Sequence, residues 1–332
     1  MRRRRFSVRQ FLRHVIIGAA FSLAAAATLG AQTGTENESA FEFIFPYGAR
    51  AVAMGMTGVA MASPSDAVWL NPALVARAHR EASLQEQSKL SALISTDIGG
   101  SVVWTFAPVG TVALSARYMD EGTDIATNDL NEQTGTFVPK HEVVAATFAT
   151  TFGSRATAGF TVKRLVRTAP CSGECGPNLP ASSSVNALDF GAQFYVSHDS
   201  VLSVGLAARN IGPKLQQKDA PQADELPTRI EAGIAIMPTL KDAKDVRVIG
   251  AADIVARVGP GAPGFRFGGE VGYQNRYFGR AGYVVYGPGE VSGATFGVGV
   301  QTGKLAIDLS QMATDPGTSG LRPTLVSLRY IF

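Results

Sequence analysis

Beyond its first 31 residues the chain holds no apolar stretch of the ~20 residues that a membrane-spanning helix needs. A bundle of spanning helices is thereby excluded. Cysteine is nearly absent: Cys171 and Cys175 stand alone in "APCSGECGPNLP", one residue too far apart for a C-x-x-C redox motif. The four histidines (His14, His79, His141 and His198) are scattered, and none lies near the cysteine pair, so no metal site is expected. Neither G-x-x-x-x-G-K-[ST] nor G-x-G-x-x-G occurs, which removes a phosphate-cradling loop. No G-x-S-x-G and no paired-carboxylate signature puts a nucleophile beside a base. The expectation is a protein with no catalytic residues and no cofactor, and hence no enzyme.

Surplus positive charge is missing too, once the start of the chain is set aside. Residues 1–31 hold six of the 30 basic side chains and none of the 27 acidic ones, leaving 24 bases against 27 acids. No basic stripe remains for nucleic acid. Those first residues read as an address: "MRRRRFSVRQFLRH" is a basic region, "VIIGAAFSLAAAA" an apolar core of signal-peptide length, and Ala31 a small residue suited to cleavage. Export to an oxidising compartment favours a disulfide between Cys171 and Cys175, with two free thiols as the alternative.

What is abundant is alternation. In "TRIEAGIAI", Arg229, Glu231, Gly233 and Ala235 share one parity and Ile230, Ala232, Ile234 and Ile236 the other. "FRFGGEVGY" sets Arg266, Gly268, Glu270 and Gly272 against Phe265, Phe267, Val271 and Tyr273, and "KLAIDLSQ" sets Asp308 against Leu305, Ile307 and Leu309. "TVALSARYM" places Arg117 opposite Val112, Leu114 and Tyr118. This is period two over strand-length segments. It predicts strands at 80–88, 99–107, 110–120, 141–152, 155–167, 184–197, 200–211, 227–238, 245–257, 264–275, 277–287, 291–302, 304–312 and 322–332.

Fourteen is an even number, as in single-chain bacterial outer-membrane barrels. Short links ("APVG", "FGSR", "SHDS", "QNR", "TGK") follow even strands, and the long ones (121–140, 168–183, 212–226, 313–321) follow odd strands. Short periplasmic turns facing longer external loops produce that sorting. "PTLKDAKD" is longer than its class. The expected fold is all-β: one transmembrane antiparallel β-barrel at 80–332, in the outer membrane of a diderm bacterium, in contact with its lipid.

The chain ends in "LVSLRYIF", where Val326, Leu328, Tyr330 and Phe332 share a parity. A last strand with a terminal aromatic and apolar alternate positions resembles the signal read by the barrel-assembly machinery. The inward charges Arg117, Arg229, Glu231, Arg247, Asp253, Arg266, Glu270, Arg280 and Asp308 are expected to bond to one another or to whatever fills the lumen.

Something must fill it. Eight strands enclose space that side chains can occupy, whereas sixteen leave a channel. The segment 32–79 reads as a periplasmic tail and a plug: it is weakly charged and too rich in Gly for a self-standing helix. Gly48, Gly55 and Gly58 permit tight turns, Ser65 or Asp66 is placed to cap a turn through "DAVWL", and Pro72 ends it by biasing Asn71 away from helix.

"FEFIFPYGARAVAMGMTGVAMASPSDAVWLNPALVA" is similar to the N-terminal signature of the PorV/PorQ family, relatives of FadL-type outer-membrane transporters. The likeness rests on Gly48, Ala49, Arg50, Met54, Gly55, Asp66, Asn71, Pro72 and Ala73. Met56, Thr57 and Leu74 depart from the small residues usual at those places. The resemblance implies one of two functions. PorV-like proteins act as partners of secreted cargo proteins and translocon components in type IX secretion; FadL-like relatives pass hydrophobic ligands past a plug. The transporter needs an apolar pocket between plug and wall, and the cargo carrier an ordered external rim. The modest, polar external loops and the family likeness favour the protein partner.

Overall fold

The computed structural model describes residues 38–44, 47–77, 80–88, 96–176, 179–196, 201–216, 223–240, 243–259, 261–285, 292–313 and 323–332. The signal segment 1–31, the tail at 32–37 and His14, His79 and His198 lie outside the described residues.

Fourteen strands form the wall: β1 Glu81–Ser88, β2 Thr96–Phe106, β3 Gly110–Asp120, β4 Lys140–Phe152, β5 Ala156–Ala169, β6 Ala181–Tyr195, β7 Leu202–Ile211, β8 Arg229–Ile236, β9 Val246–Arg257, β10 Gly264–Tyr273, β11 Tyr277–Val285, β12 Gly293–Thr302, β13 Leu305–Met312 and β14 Thr324–Ile331. Each pairs antiparallel with its sequence neighbours, and β1 closes on β14 from Glu81 opposite Ile331 to Ser88 opposite Thr324. Closure leaves no strand edge unpaired, the condition for spanning lipid with strands. No helix among the described residues is long and apolar enough to cross a membrane.

The burial pattern is inverted relative to a water-soluble protein. Along β13, Leu305, Ile307 and Leu309 are exposed while Ala306, Asp308 and Ser310 are buried. Val326, Leu328, Tyr330 and Phe332 likewise face outward. Apolar side chains outside and polar ones inside make a wall for hydrocarbon, the arrangement of the strand-built barrels of bacterial outer membranes.

Strand ends differ from the sequence reading where tertiary partners extend a ladder. β2 starts at Thr96, ahead of the expected 99, because its outer end goes on pairing with Met119 and Asp120 of β3. The stretches 121–140 and 168–183, expected as loops, carry a small sheet outside the barrel, made of Asp124–Thr127, Gln133–Phe137 and Cys171–Gly173. Cys171 and Cys175 form a disulfide at its edge, with Cα atoms 6.2 Å apart. Leu215–Gln216 and Ala223–Asp224 make a second small pair at the same end.

Inside the wall lie α1 (Ala49–Ala53), α2 (Pro64–Leu70) and two 3₁₀ turns, Phe41–Phe43 and Pro72–Arg77. Two apolar clusters join them to the barrel. Phe43, Tyr47, Val68, Trp69, Leu74 and Val75 meet Val103, Met119, Val143 and Leu165; Ala49, Val52 and Met56 meet Val284, Met312 and Leu325. The capping expectation is corrected. Pro64 opens α2, as its missing N–H permits at a first helical position, so Ser65 and Asp66 sit within the helix and not before it. Asn71 leaves helical space ahead of Pro72 (φ −147°, ψ 106°), and the chain turns there.

A plugged lumen as the candidate functional site

The plug is held backbone-first. Its short, irregular segments leave amides and carbonyls without partners of their own, and buried groups of that kind must be satisfied elsewhere. Inward side chains of the wall do this. Gln85 Oε1 accepts from the Gly48 amide (2.8 Å) and Ser327 Oγ from the Ala49 amide (2.9 Å). Thr295 Oγ1 accepts from the Gly55 amide (2.9 Å) and donates to the Ala53 carbonyl (3.1 Å). Asp253 accepts from the Gly58 and Val59 amides at 2.8 and 3.2 Å. Ser203 Oγ donates to the Ala60 carbonyl (3.1 Å), and Arg209 donates to that of Trp69. Asn71 joins plug to plug and plug to wall, its Nδ2 donating to the carbonyls of Val59 (2.6 Å) and Ala192 (3.1 Å).

Wall glycines let the plug come this close. A Cβ on Gly205 would lie 2.0 Å from the Val59 carbonyl oxygen, and one on Gly268 2.2 Å from that of Met54. On the plug side, Gly48 (φ +83°) and Gly55 (φ +66°) adopt left-handed backbone, and Gly48 also makes room for the Asp66 carboxyl. Gly58 lies against Leu70, and the backbone of Pro72, next to Ala73, lies against Gly159.

The inward charges fall into two groups. Toward the short-turn end, Glu270 accepts from Arg50 of the plug (2.8 Å), Arg247 (2.9 Å) and Arg280 (2.6 Å); Asp308 then accepts from Arg280 (2.7 Å) and Arg329 (2.9 Å). Toward the long-loop end, Glu231 pairs with Arg209 and, at 3.6 Å, with Arg266; Lys163 pairs with Asp189 (2.8 Å), and Arg117 with Asp97 (2.8 Å through Nε). The sequence reading misses Arg209, Lys163, Asp97 and Asp189, although Lys163 shares the inward parity of Thr161 and Leu165.

Residues 38–43 lie at the long-loop end: Glu38 bonds Arg229 twice at 2.8 Å and lies 3.2 Å from Arg257, and the Ser39 amide donates to the Glu225 carbonyl. Glu42 accepts from Arg167 at 2.6 and 2.7 Å and contacts His141, which also meets Glu121 at 2.9 Å. All these wall residues stand at the long-loop end. Opposite charges draw residues 38–43 across that mouth. Burial works against the Glu42 charge, but the hydrogen bonds from His141 and Arg167 prevail and hold its pKa down to about 2.

Between plug and wall lies a cavity of about 20 Å³, lined by Phe43, Ile44, Tyr47, Ala51, Met56, Trp69 and Leu70 together with Glu42, Arg117, Arg209 and Arg266. That space is the size of one water molecule. The Tyr47 and Trp69 rings stand 4.8 Å apart beside it. Met56, among the lining residues, has left-handed backbone (φ 60°) and belongs to the apolar cluster with Val284, Met312 and Leu325. On the lipid side, Ile234, Ile236, Phe267 and Tyr283 border an apolar groove of about 700 Å³. Among the described residues no cluster of His, Cys, Asp or Glu is arranged to hold a metal ion.

The fold is thus a closed barrel of fourteen antiparallel strands with few helices and a lumen filled by the chain's own N-terminal segment. Solved structures share this fold. The toluene transporter TbuX of Ralstonia pickettii matches at 15% identity and TM-score 0.56, over 87% of this chain and 99% of that one. The toluene transporter TodX of Pseudomonas putida matches at 12% identity and TM-score 0.55, over 87% and 99%. CymD, a monoaromatic hydrocarbon channel, matches at 12% identity and TM-score 0.57, over 85% and 96%. No protein-family model and no curated protein sequence matches the chain.

Proposed function

We propose that the protein is a transporter of hydrophobic small molecules across the outer membrane, with residues 38–77 as its gate. The observation that carries this reading is the cavity between plug and wall, lined by aromatic and aliphatic residues together with Glu42 and three arginines, within a fold shared with hydrocarbon transporters. In its present form the cavity is closed to anything larger than water, so passage requires the plug to move. Carboxylates pair with the bordering arginines, Asp97 with Arg117, and Glu231 with Arg209 and more distantly with Arg266.

The partner role in protein secretion rests on the N-terminal likeness to PorV/PorQ proteins, and the fold comparisons favour transport over it. One experiment separates the two. Outer membranes are crosslinked in living cells, the barrel is recovered, and both protein and small-molecule companions are identified. Bound hydrocarbon or lipid-like compounds support transport. Exported proteins sharing a C-terminal domain, with no small molecule, overturn it in favour of secretion.

A further inference from the structure

Among the described residues, the short-turn rim of the barrel carries Arg80, Arg155, Lys244, Arg276 and Lys304 against Asp245. The opposite end is acidic, with Asp120, Glu121, Asp124, Glu132 and Glu142 in one stretch of loop and strand ends.

Three of the rim arginines share a further feature. Each lies over a ring that faces the lipid. The guanidinium carbon of Arg80 is 4.2 Å from the Trp104 ring centre, that of Arg155 is 5.3 Å from Phe194, and that of Arg276 is 5.3 Å from Tyr277. All three rings are exposed on the outer face, and Phe332 packs beside Trp104 with centroids 6.1 Å apart. Arg80 stands at the start of β1, Arg155 in the β4–β5 turn and Arg276 in the β10–β11 turn, so the pairs are spread around the wall. Aromatic rings settle at the boundary between hydrocarbon and headgroups. A guanidinium held on such a ring keeps its donors free at headgroup depth, where its planar fork matches a phosphate.

We infer that these three arginine–aromatic pairs are binding sites for the phosphate groups of anionic phospholipid, one lipid at each pair, on the leaflet facing the short turns. The occupant follows from charge complementarity, since the rim is basic and its cations are stacked outward toward lipid. The inference does not depend on the transport reading.

The test titrates the purified full-length barrel, in a zwitterionic detergent, with phosphatidylglycerol or phosphatidylcholine and counts retained lipid by native mass spectrometry. The native protein is expected to retain phosphatidylglycerol preferentially. Arg80→Gln, Arg155→Gln and Arg276→Gln should each lower that preference about fivefold, and the triple variant should abolish it. Lys140→Gln with Lys214→Gln, at the other end, should leave it unchanged. Folding of every variant is checked by its shift on a gel with and without boiling. Equal retention of the two lipids by the native protein overturns the inference, as does a folded triple variant that keeps the preference.

Discussion

Gly55 of the plug and Gly282 of β11 meet backbone to backbone. A Cβ on Gly282 would lie 2.1 Å from the Gly55 nitrogen, and one on Gly55 would lie 2.3 Å from the Phe267 carbonyl oxygen. Neither position has room for a side chain, so the wall is shaped to the plug as closely as a core is shaped to itself. Gly282→Val should therefore leave the barrel closed, because the strand ladder is untouched, and push α1 away from β11. The expected result is a normal heat-dependent gel shift together with raised conductance in planar bilayers. Unchanged conductance in a folded variant would show that the contact does not seal the lumen.

Glu270 accepts from three arginines while its own side chain is fully buried. Glu270→Gln removes the charge that Arg50, Arg247 and Arg280 share, leaving cations in a confined space. Breaking a buried pair in this way costs about 3 kcal/mol or more. The urea midpoint of the variant should fall accordingly, and Arg50→Met introduced beside it should restore part of the loss. A variant as stable as the native barrel would mean that the lumen is wet enough to screen these charges.

Asp66 belongs to the plug and not to a spanning strand. Burial pushes its pKa from 3.8 up to about 7; Arg329 pulls against that rise, while Glu81 and Asp308 add to it. Between about pH 4 and 7 the folded chain holds a proton that the unfolded chain has released. Stability from this group is thus full below about pH 4 and is lost as pH rises to about 7, a change on the order of 4 kcal/mol. Denaturation midpoints measured across that window should fall more for the native protein than for Asp66→Asn, which stays neutral. Parallel curves would place Asp66 in contact with water.

Met56 holds left-handed backbone and is one of the residues that line the cavity. Met56→Gly relieves about 1 kcal/mol of backbone strain and loses about 3 kcal/mol of packing. The net effect should be a modestly less stable barrel with a larger cavity. Uptake of a labelled hydrophobic small molecule into proteoliposomes should rise. Uptake equal to the native rate would separate the cavity from the path.

The barrel was legible because its alternation is strict. Ile230 and Ile234 against Arg229 and Glu231, or Ile307 and Leu309 against Asp308 and Ser310, each fix a face. The sorting of short and long connections carried the rest. The plug's grip was not legible. Ser203, Thr295 and Ser327 are small polar residues at inward positions, and nothing in a period of two says which of them will face a plug carbonyl or amide. The wall glycines are equally silent in sequence, because close approach is a property of two segments and not of one. The outer placement of Glu38 and Glu42 depends on Arg229 and Arg167, more than a hundred residues away along the chain. The small external sheet reads as loop in the sequence because its strands, such as Cys171–Gly173, are too short to show a period.

Plug movement is tested most directly by locking it. Ser327 Oγ lies 2.9 Å from the Ala49 amide, so Ala49→Cys with Ser327→Cys puts two thiols at the contact between plug and wall, and formation of the bridge is verified by mass spectrometry before the assay. Proteoliposomes carrying this variant are assayed for uptake of a labelled hydrophobic small molecule, first with a reductant and then after oxidation. Uptake that matches the native barrel when reduced and stops when oxidised is the expected result. Uptake that continues at the same rate with the bridge formed, or that is absent from the native barrel, contradicts a plug that gates transport.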